Sequence, residues 1–192
     1  MSKFEKYIYT MPEDHHEWGD TYASPRCGFA GEVVMPESRL YMGFTVVMKP
    51  HVMEEPHFHH AVDEYLIFTG ANLVNPFDYD AEIEVSMGDD PDRMEVFTFT
   101  EPTVIRVPPN VWHCPINFKH IGKPVNFIPV YPDGTWCKVT QRIKADGFPE
   151  YIYDGANTRR CVKNQADKCI YCGRCFKELA GDDPEEQVLR TP

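Results

Sequence analysis

From about residue 31 to residue 140, apolar positions come in short β-branched and aromatic runs, broken by Pro, Gly, Asn and Asp, with no 3.6-residue period. These runs predict eight strands, over residues 31–35, 40–48, 64–69, 81–86, 94–99, 103–107, 125–130 and 135–140. Eight short strands joined by turn residues suit an all-β jelly roll. Two turns are well marked: Met87-Gly88-Asp89-Asp90-Pro91-Asp92, and Pro132-Asp133-Gly134, where Asp-Gly supplies the positive φ of a tight hairpin. Both predict exposed hairpin tips. The aspartates of the first are read as a solvated tip rather than a calcium loop.

The pattern changes at both ends. Residues 1–30 are polar and aromatic without a period and are expected to form an N-terminal arm; residues 31–144 are the expected barrel. After the turn-rich Ala145-Asp146-Gly147-Phe148-Pro149, residues 145–192 form a charged, cysteine-rich C-terminal extension. A length of 192 residues fits one domain with an appendage, and no internal repeat suggests a duplicated barrel.

Charge narrows the partners. A net charge of −11 and an isoelectric point near 5.1 disfavour nucleic acid and anionic membrane surfaces, which recruit clustered Lys and Arg. No run approaches the ~20 apolar residues needed to span a bilayer, and the first residues lack an apolar signal core. The 7 cysteines include three solitary ones, Cys27, Cys114 and Cys137, and four gathered near the end, unlike a secreted disulfide framework. A reducing, cytoplasmic setting is expected.

The chemistry concentrates in His57-Phe58-His59, Glu64 and His113. Side chains alternate along a strand, so His57 and His59 project from one face and their imidazoles can converge on one ion. A carboxylate shortly beyond and a third histidine from a distant strand would complete an N/O donor set suited to Fe, Mn, Ni, Co or Zn. Asp63 could compete with Glu64, but alternation through Glu64, Leu66 and Phe68 makes Glu64 the inward residue. His60 is expected on the opposite face, and His51 and His120 at the surface or behind the ligands. Cys114, directly after His113, is expected to face away from the ion if its segment is extended. Tyr41, Tyr65, Phe99 and Trp112 are read as barrel core.

These residues resemble the cupins, whose first motif runs His-x-His, three or four residues, then Glu, and whose second runs Pro-x-Gly-x-x-His-x-x-x-Asn. His57, His59 and Glu64 match the first; Pro108, Asn110, His113 and Asn117 match the second, with Asn110 in place of the usual glycine. Asn tolerates the left-handed backbone better than other residues with a Cβ, so the turn before His113 can survive. His51 and Pro102 also replace motif glycines, and Gly70 comes one residue early. The resemblance covers about residues 30–140. It implies a double-stranded β-helix holding one divalent ion through His57, His59, Glu64 and His113, a polar small-molecule ligand or substrate, and a homodimer.

A second signal lies in the extension, where Cys169, Cys172 and Cys175 form a C-x-x-C-x-x-C run with Cys161 upstream. The run resembles the cluster-binding segment of bacterial ferredoxins but lacks their further Cys-Pro. With Cys161 as fourth ligand it suits a four-iron iron-sulfur cluster or a structural zinc ion. Together these features predict a metal-dependent cupin enzyme acting on a polar organic small molecule, as oxygenase, isomerase or lyase. The alternative is a non-catalytic metabolite-binding or redox-sensing cupin module.

Overall fold

The computed structural model describes residues 3–15, 19–35, 37–59, 62–132 and 137–155. Within them run twelve strands: β1 (Cys27–Phe29), β2 (Tyr41–Val47), β3 (His51–Met53), β4 (His57–Phe58), β5 (Glu64–Gly70), β6 (Ala81–Gly88), β7 (Glu95–Phe99), β8 (Thr103–Val107), β9 (Trp112–Ile121), β10 (Val125–Tyr131), β11 (Cys137–Ile143) and β12 (Pro149–Gly155). They form two antiparallel sheets. The first has the order β1-β2-β10-β5-β8; the second has the order β12-β11-β4-β9-β6-β7, with β3 also paired to β9. Neighbours in each sheet come from distant parts of the chain, which is the double-sheet jelly roll expected from the strand pattern. No helix among the described residues is long and apolar enough to cross a membrane.

The period-two code is plainest in β5, where Glu64, Leu66, Phe68 and Gly70 are buried and the residues between them are not. In β6, Ala81, Ile83 and Val85 are buried in the same rhythm. These inward residues join Val47, Val107, Ile116, Phe118, Val125 and Phe127 in one core between the sheets. Phe68 stacks on Phe127 at 5.1 Å between ring centroids and tilts against Phe99 at 5.0 Å. Burying each such ring contributes about 1.5–3 kcal/mol relative to exposure.

A smaller core lies on the other side of the second sheet: Phe58, Trp112 and Val139, flanked by Met94 and Tyr151. Phe58 meets Trp112 edge to face at 4.9 Å. It explains why Phe58 stands between His57 and His59: one side of β4 carries polar chemistry inward, and the other is pinned by an aromatic.

Several expectations change. Residues 31–35 are not a strand; Gly31 has φ 54°, and Gly31–Val33 forms a 3-10 turn closed by bonds from Val33 N–H to the Ala30 carbonyl and from Val34 N–H to the Gly31 carbonyl. The valines that suggested a strand sit beside a glycine that turns the chain, and Val33 is exposed. The sheets also reach past residues 31–144 at both ends. β1 pairs with β2, Tyr22 bridges Val47, and β12 pairs along its length with β11. The tip at Asp90 closes on itself, its carboxylate accepting bonds from Asp92 N–H and Arg93. The Asp133-Gly134 turn and the cysteines 161, 169, 172 and 175 lie outside the described residues.

Candidate metal centre

The two sheets bring the ends of β4, β5 and β9 together at one end of the barrel. His57 and His113 are direct partners across β4 and β9. Their rings lie 4.3 Å apart between centroids, and His59 lies 5.1 Å from each. Glu64, first residue of β5, reaches the same point. One donor atom from each of His57, His59, Glu64 and His113 lies within 4.8 Å of the others, and all four residues are buried.

The turn before His113 is built as the Asn110 substitution suggests. Asn110 has φ 66°. Its N–H donates to the His59 carbonyl at 2.8 Å, while Val111 N–H donates to the Pro108 carbonyl at 3.3 Å. The second motif is therefore fastened to the first through the backbone of a candidate ligand. Asn117 stands away from the site, donating to Glu84 Oε2 at 3.0 Å.

The hydrogen bonds behind the rings fix their direction. His57 Nδ1 lies 2.7 Å from the Glu55 carbonyl, and His113 Nδ1 lies 3.2 Å from the Val111 carbonyl. A carbonyl only accepts, so each Nδ1 carries a proton, and in the neutral ring Nε2 turns its lone pair to the site. His113 Nε2 is 2.8 Å from Glu64 Oε2, yet it is buried without a properly directed hydrogen bond. His59 Nε2 is 3.1 Å from the same oxygen. A lone pair facing a buried carboxylate oxygen at such a distance is repulsive unless a cation lies between them. The donor set thus fits a divalent ion, with Glu55 and Val111 carbonyls orienting two imidazoles from behind.

Burial, then His113 and His59, pull His57 down to about 3, so its ring stays neutral. For Glu64, burial pushes the carboxyl up, but in the metal-free chain the attraction of the His59 and His113 rings in their protonated forms outweighs it and holds it well below the usual range. Both shifts favour the protonation states a ligand needs.

The other residues singled out in the sequence fall elsewhere. Asp63 turns to Arg106 at 2.7 Å, leaving Glu64 as the inward carboxylate. His120 pairs with Asp80 at the surface, and His60 lies outside the described residues. His51 is a support: it stacks on Phe118 at 4.9 Å, Nδ1 donates to the Lys49 carbonyl, and Nε2 accepts from Tyr22 Oη at 2.7 Å.

Cys114 differs from expectation. Strand alternation would turn it away from His113, but it has φ 68° and sits in a β-bulge, where β6 moves from Val85 to Met87 while β9 moves from Ile116 to His113. Two successive residues of β9 therefore face inward, and Cys114 lines the cavity at the site. Burial, Glu64 and Glu54 push its thiol well above the usual range, so it is not a thiolate nucleophile.

That cavity, of about 510 Å³, is lined by His57, Glu64 and His113 and by Leu66, Ile116, Phe127 and Pro129 from the barrel wall. Tyr22 and Arg26 enter it from the N-terminal segment, and Tyr41, Thr45 and Tyr131 from β2 and β10. Composition alone gave no sign that the segment before residue 30 contributes to the cavity. The bridges Asp14 to Arg26 and Tyr22 to Val47 fold it there.

Comparison with protein-family models and with curated proteins finds no match. Solved structures do match. BH2720 from Bacillus halodurans aligns at TM-score 0.37 and 15% identity over 48% of this chain and 61% of that one. Oxalate decarboxylase of Bacillus subtilis, described with Mn(II) centres, aligns at 0.45 and 16% over 66% and 29%. A recombinant oxalate oxidase in complex with glycolate aligns at 0.46 and 9% over 68% and 61%. The match spans less than two thirds of each of these structures, and likeness this distant carries no argument about activity. The strand order and the meeting of His57 and His113 on adjacent strands are properties of this chain: a double-sheet jelly roll with four candidate metal ligands gathered at one point.

Proposed function

We propose that the chain is a metal-dependent cupin enzyme that acts on a polar organic small molecule at a site of three histidines and one glutamate. The observation that carries this reading is His113 Nε2, buried without a hydrogen-bond partner 2.8 Å from the Glu64 carboxylate, an arrangement that a shared cation would stabilise. His57, His59, Glu64 and His113 would hold the ion. A divalent ion so held supplies Lewis acidity, polarising a bound carbonyl or acidifying a bound water.

The chain's own residues do the rest. Glu55 and Val111 carbonyls keep the His57 and His113 rings in one tautomer. Leu66, Ile116 and Phe127 line the cavity with apolar surface and limit water near the ligands. The donor set is shared by oxygenase, isomerase and lyase chemistry, so the reaction class is assigned by substrate rather than by these four residues. We further read Cys161, Cys169, Cys172 and Cys175 as a second site for zinc or a four-iron cluster, and the protein as a cytoplasmic homodimer. Both readings rest on sequence.

Elemental analysis of anaerobically purified protein tests the proposal. One divalent ion that persists when the four tail cysteines are changed to serine supports it, and iron with acid-labile sulfide that vanishes in the same variant assigns a cluster to the tail. A serine variant devoid of metal, and unable to take up Mn, Fe, Co, Ni or Zn, overturns it.

A further inference from the structure

We propose that the cavity takes a small molecule with one metal-chelating end and an uncharged apolar body, the body lying on a floor made by Leu66, Cys114, Ile116 and Phe127. This rests on the metal reading above and confines the polar part of the ligand to one end. The floor begins one inward step from the candidate ligands. β5 passes from Glu64 to Leu66, and the bulge in β9 adds Cys114 between His113 and Ile116. A residue that strand alternation would turn away thereby joins the wall. Leu66, Cys114 and Ile116 are each 2% exposed or less, and Phe127 closes the floor from β10.

The charged groups of the lining, other than the candidate ligands, are already engaged within the chain. Arg26 Nε donates to Asp14 Oδ2 at 2.6 Å, and Glu54 Oε2 accepts from Lys138 Nζ at 2.7 Å. The Tyr22 hydroxyl donates to His51 Nε2 at 2.7 Å. Tyr41, Thr45 and Tyr131 bring only hydroxyls to the wall, and burial pushes the Tyr41 phenol up, so it stays neutral. A carboxylate or ammonium on the body of a ligand would lose its hydration here and meet no unpaired opposite charge among the described residues. A methylene set against Leu66, Ile116 and Phe127 instead exchanges water for apolar contact. At about 510 Å³ the cavity has the size of a small-molecule pocket, with the ion anchoring one end of the ligand and the floor selecting the other.

The test uses the full chain, with metal content measured separately by elemental analysis. Hydroxamic acids chelate divalent ions through one end and can be varied at the other. Acetohydroxamate, butyrohydroxamate, hexanohydroxamate and the monohydroxamate of succinate are titrated calorimetrically into metal-loaded protein. Butyrohydroxamate is expected to bind at least about tenfold more tightly than acetohydroxamate, each of two buried methylenes being worth about fourfold. It should exceed the succinate derivative, whose tail ends in a charge, by about tenfold or more. Affinity independent of chain length, a charged tail that binds as well as the apolar one, or no binding of any hydroxamate to metal-loaded protein overturns the inference. Cys114→Leu fills the floor and should abolish the gain with chain length at equal metal content; a gain retained in full overturns it too. Where that variant does not fold or load metal, a hexanohydroxamate with a diazirine at its tail end locates the body in wild type. Photolabel on Leu66, Cys114, Ile116 or Phe127 is expected, and label confined to other residues overturns the inference. Failure of wild type to load metal overturns the proposed function instead, and is read from the elemental analysis.

Discussion

The same strands carry opposite chemistry at the two ends of the barrel. β5 runs from Glu64 through Leu66 to Phe68, and β9 from His113 through Ile116 to Phe118; all six side chains are 3% exposed or less. Burial is therefore equal, and only the side-chain type changes within two inward steps. At the apolar end, Phe68, Phe118 and Phe127 pack ring against ring within 6.3 Å. At the polar end, donor atoms of three imidazoles and a carboxylate converge within 4.8 Å of one another, and His113 Nε2 is buried without a hydrogen-bond partner. Burying aromatics lowers the free energy of the fold, whereas burying lone pairs and a charge raises it unless something is bound between them. One end maintains the barrel, and the other is maintained by it.

The sharpest way to break that contrast is to truncate each end. Phe118→Ala removes a ring with 0% exposure and is expected to cost about 3–5 kcal/mol in urea unfolding, while the folded fraction still takes up metal. Loss of metal uptake with stability unchanged would reverse the assignment of the two ends.

Acid separates the ends next. In the metal-free chain, the folded pKa of His57 lies near 3, against 6.5 for a free imidazole. Between those values the unfolded chain binds a proton that the folded one refuses, so stability is full above pH 6.5 and falls as the pH drops towards 3. Glu64 acts in the same sense at lower pH, its contribution being present above the ordinary glutamate range and lost as the pH falls through its depressed value. The urea midpoint of metal-free protein should therefore be lower at pH 5 than at pH 7.5. His57→Phe should flatten the difference; an equal slope in that variant would place the acid sensitivity elsewhere.

The smallest expected effect concerns the turn that joins the motifs. Asn110→Ala forces a Cβ residue without a compensating side-chain amide into φ 66° and should cost about 1–2 kcal/mol, whereas Asn110→Gly should be near neutral. Equal costs would show that the Asn side chain matters more than the backbone angle.

The contrast also explains what the sequence could and could not reveal. Runs of β-branched and aromatic residues bounded by turn residues made β2, β5, β6, β7, β8, β10 and β11 legible. The histidine pair and Glu64 were legible from the alternation of side chains along a strand. β9 was missed as a strand although it holds His113: Pro115 interrupts it, and the bulge at Cys114 and Pro115 breaks the alternation that a pattern search relies on. The bulge also turned Cys114 inward against expectation. β3 and β4 are three and two residues long, too short to show any period. The contribution of Tyr22 and Arg26 was invisible because it depends on long-range bridges to Val47 and Asp14, for which a local pattern carries no signal.

By the function proposed above, the polar end exists to hold one ion. Equilibrium dialysis against a divalent metal, in protein whose tail cysteines are serine, compares wild type with His59→Ala and with His59→Ala/His113→Ala, each checked for an intact urea transition. One ion per chain is expected in the wild type, affinity reduced at least about tenfold in the single variant, in keeping with the cost of disturbing a metal site, and no specific ion in the double variant. A double variant that folds and still binds one ion with wild-type affinity would contradict it.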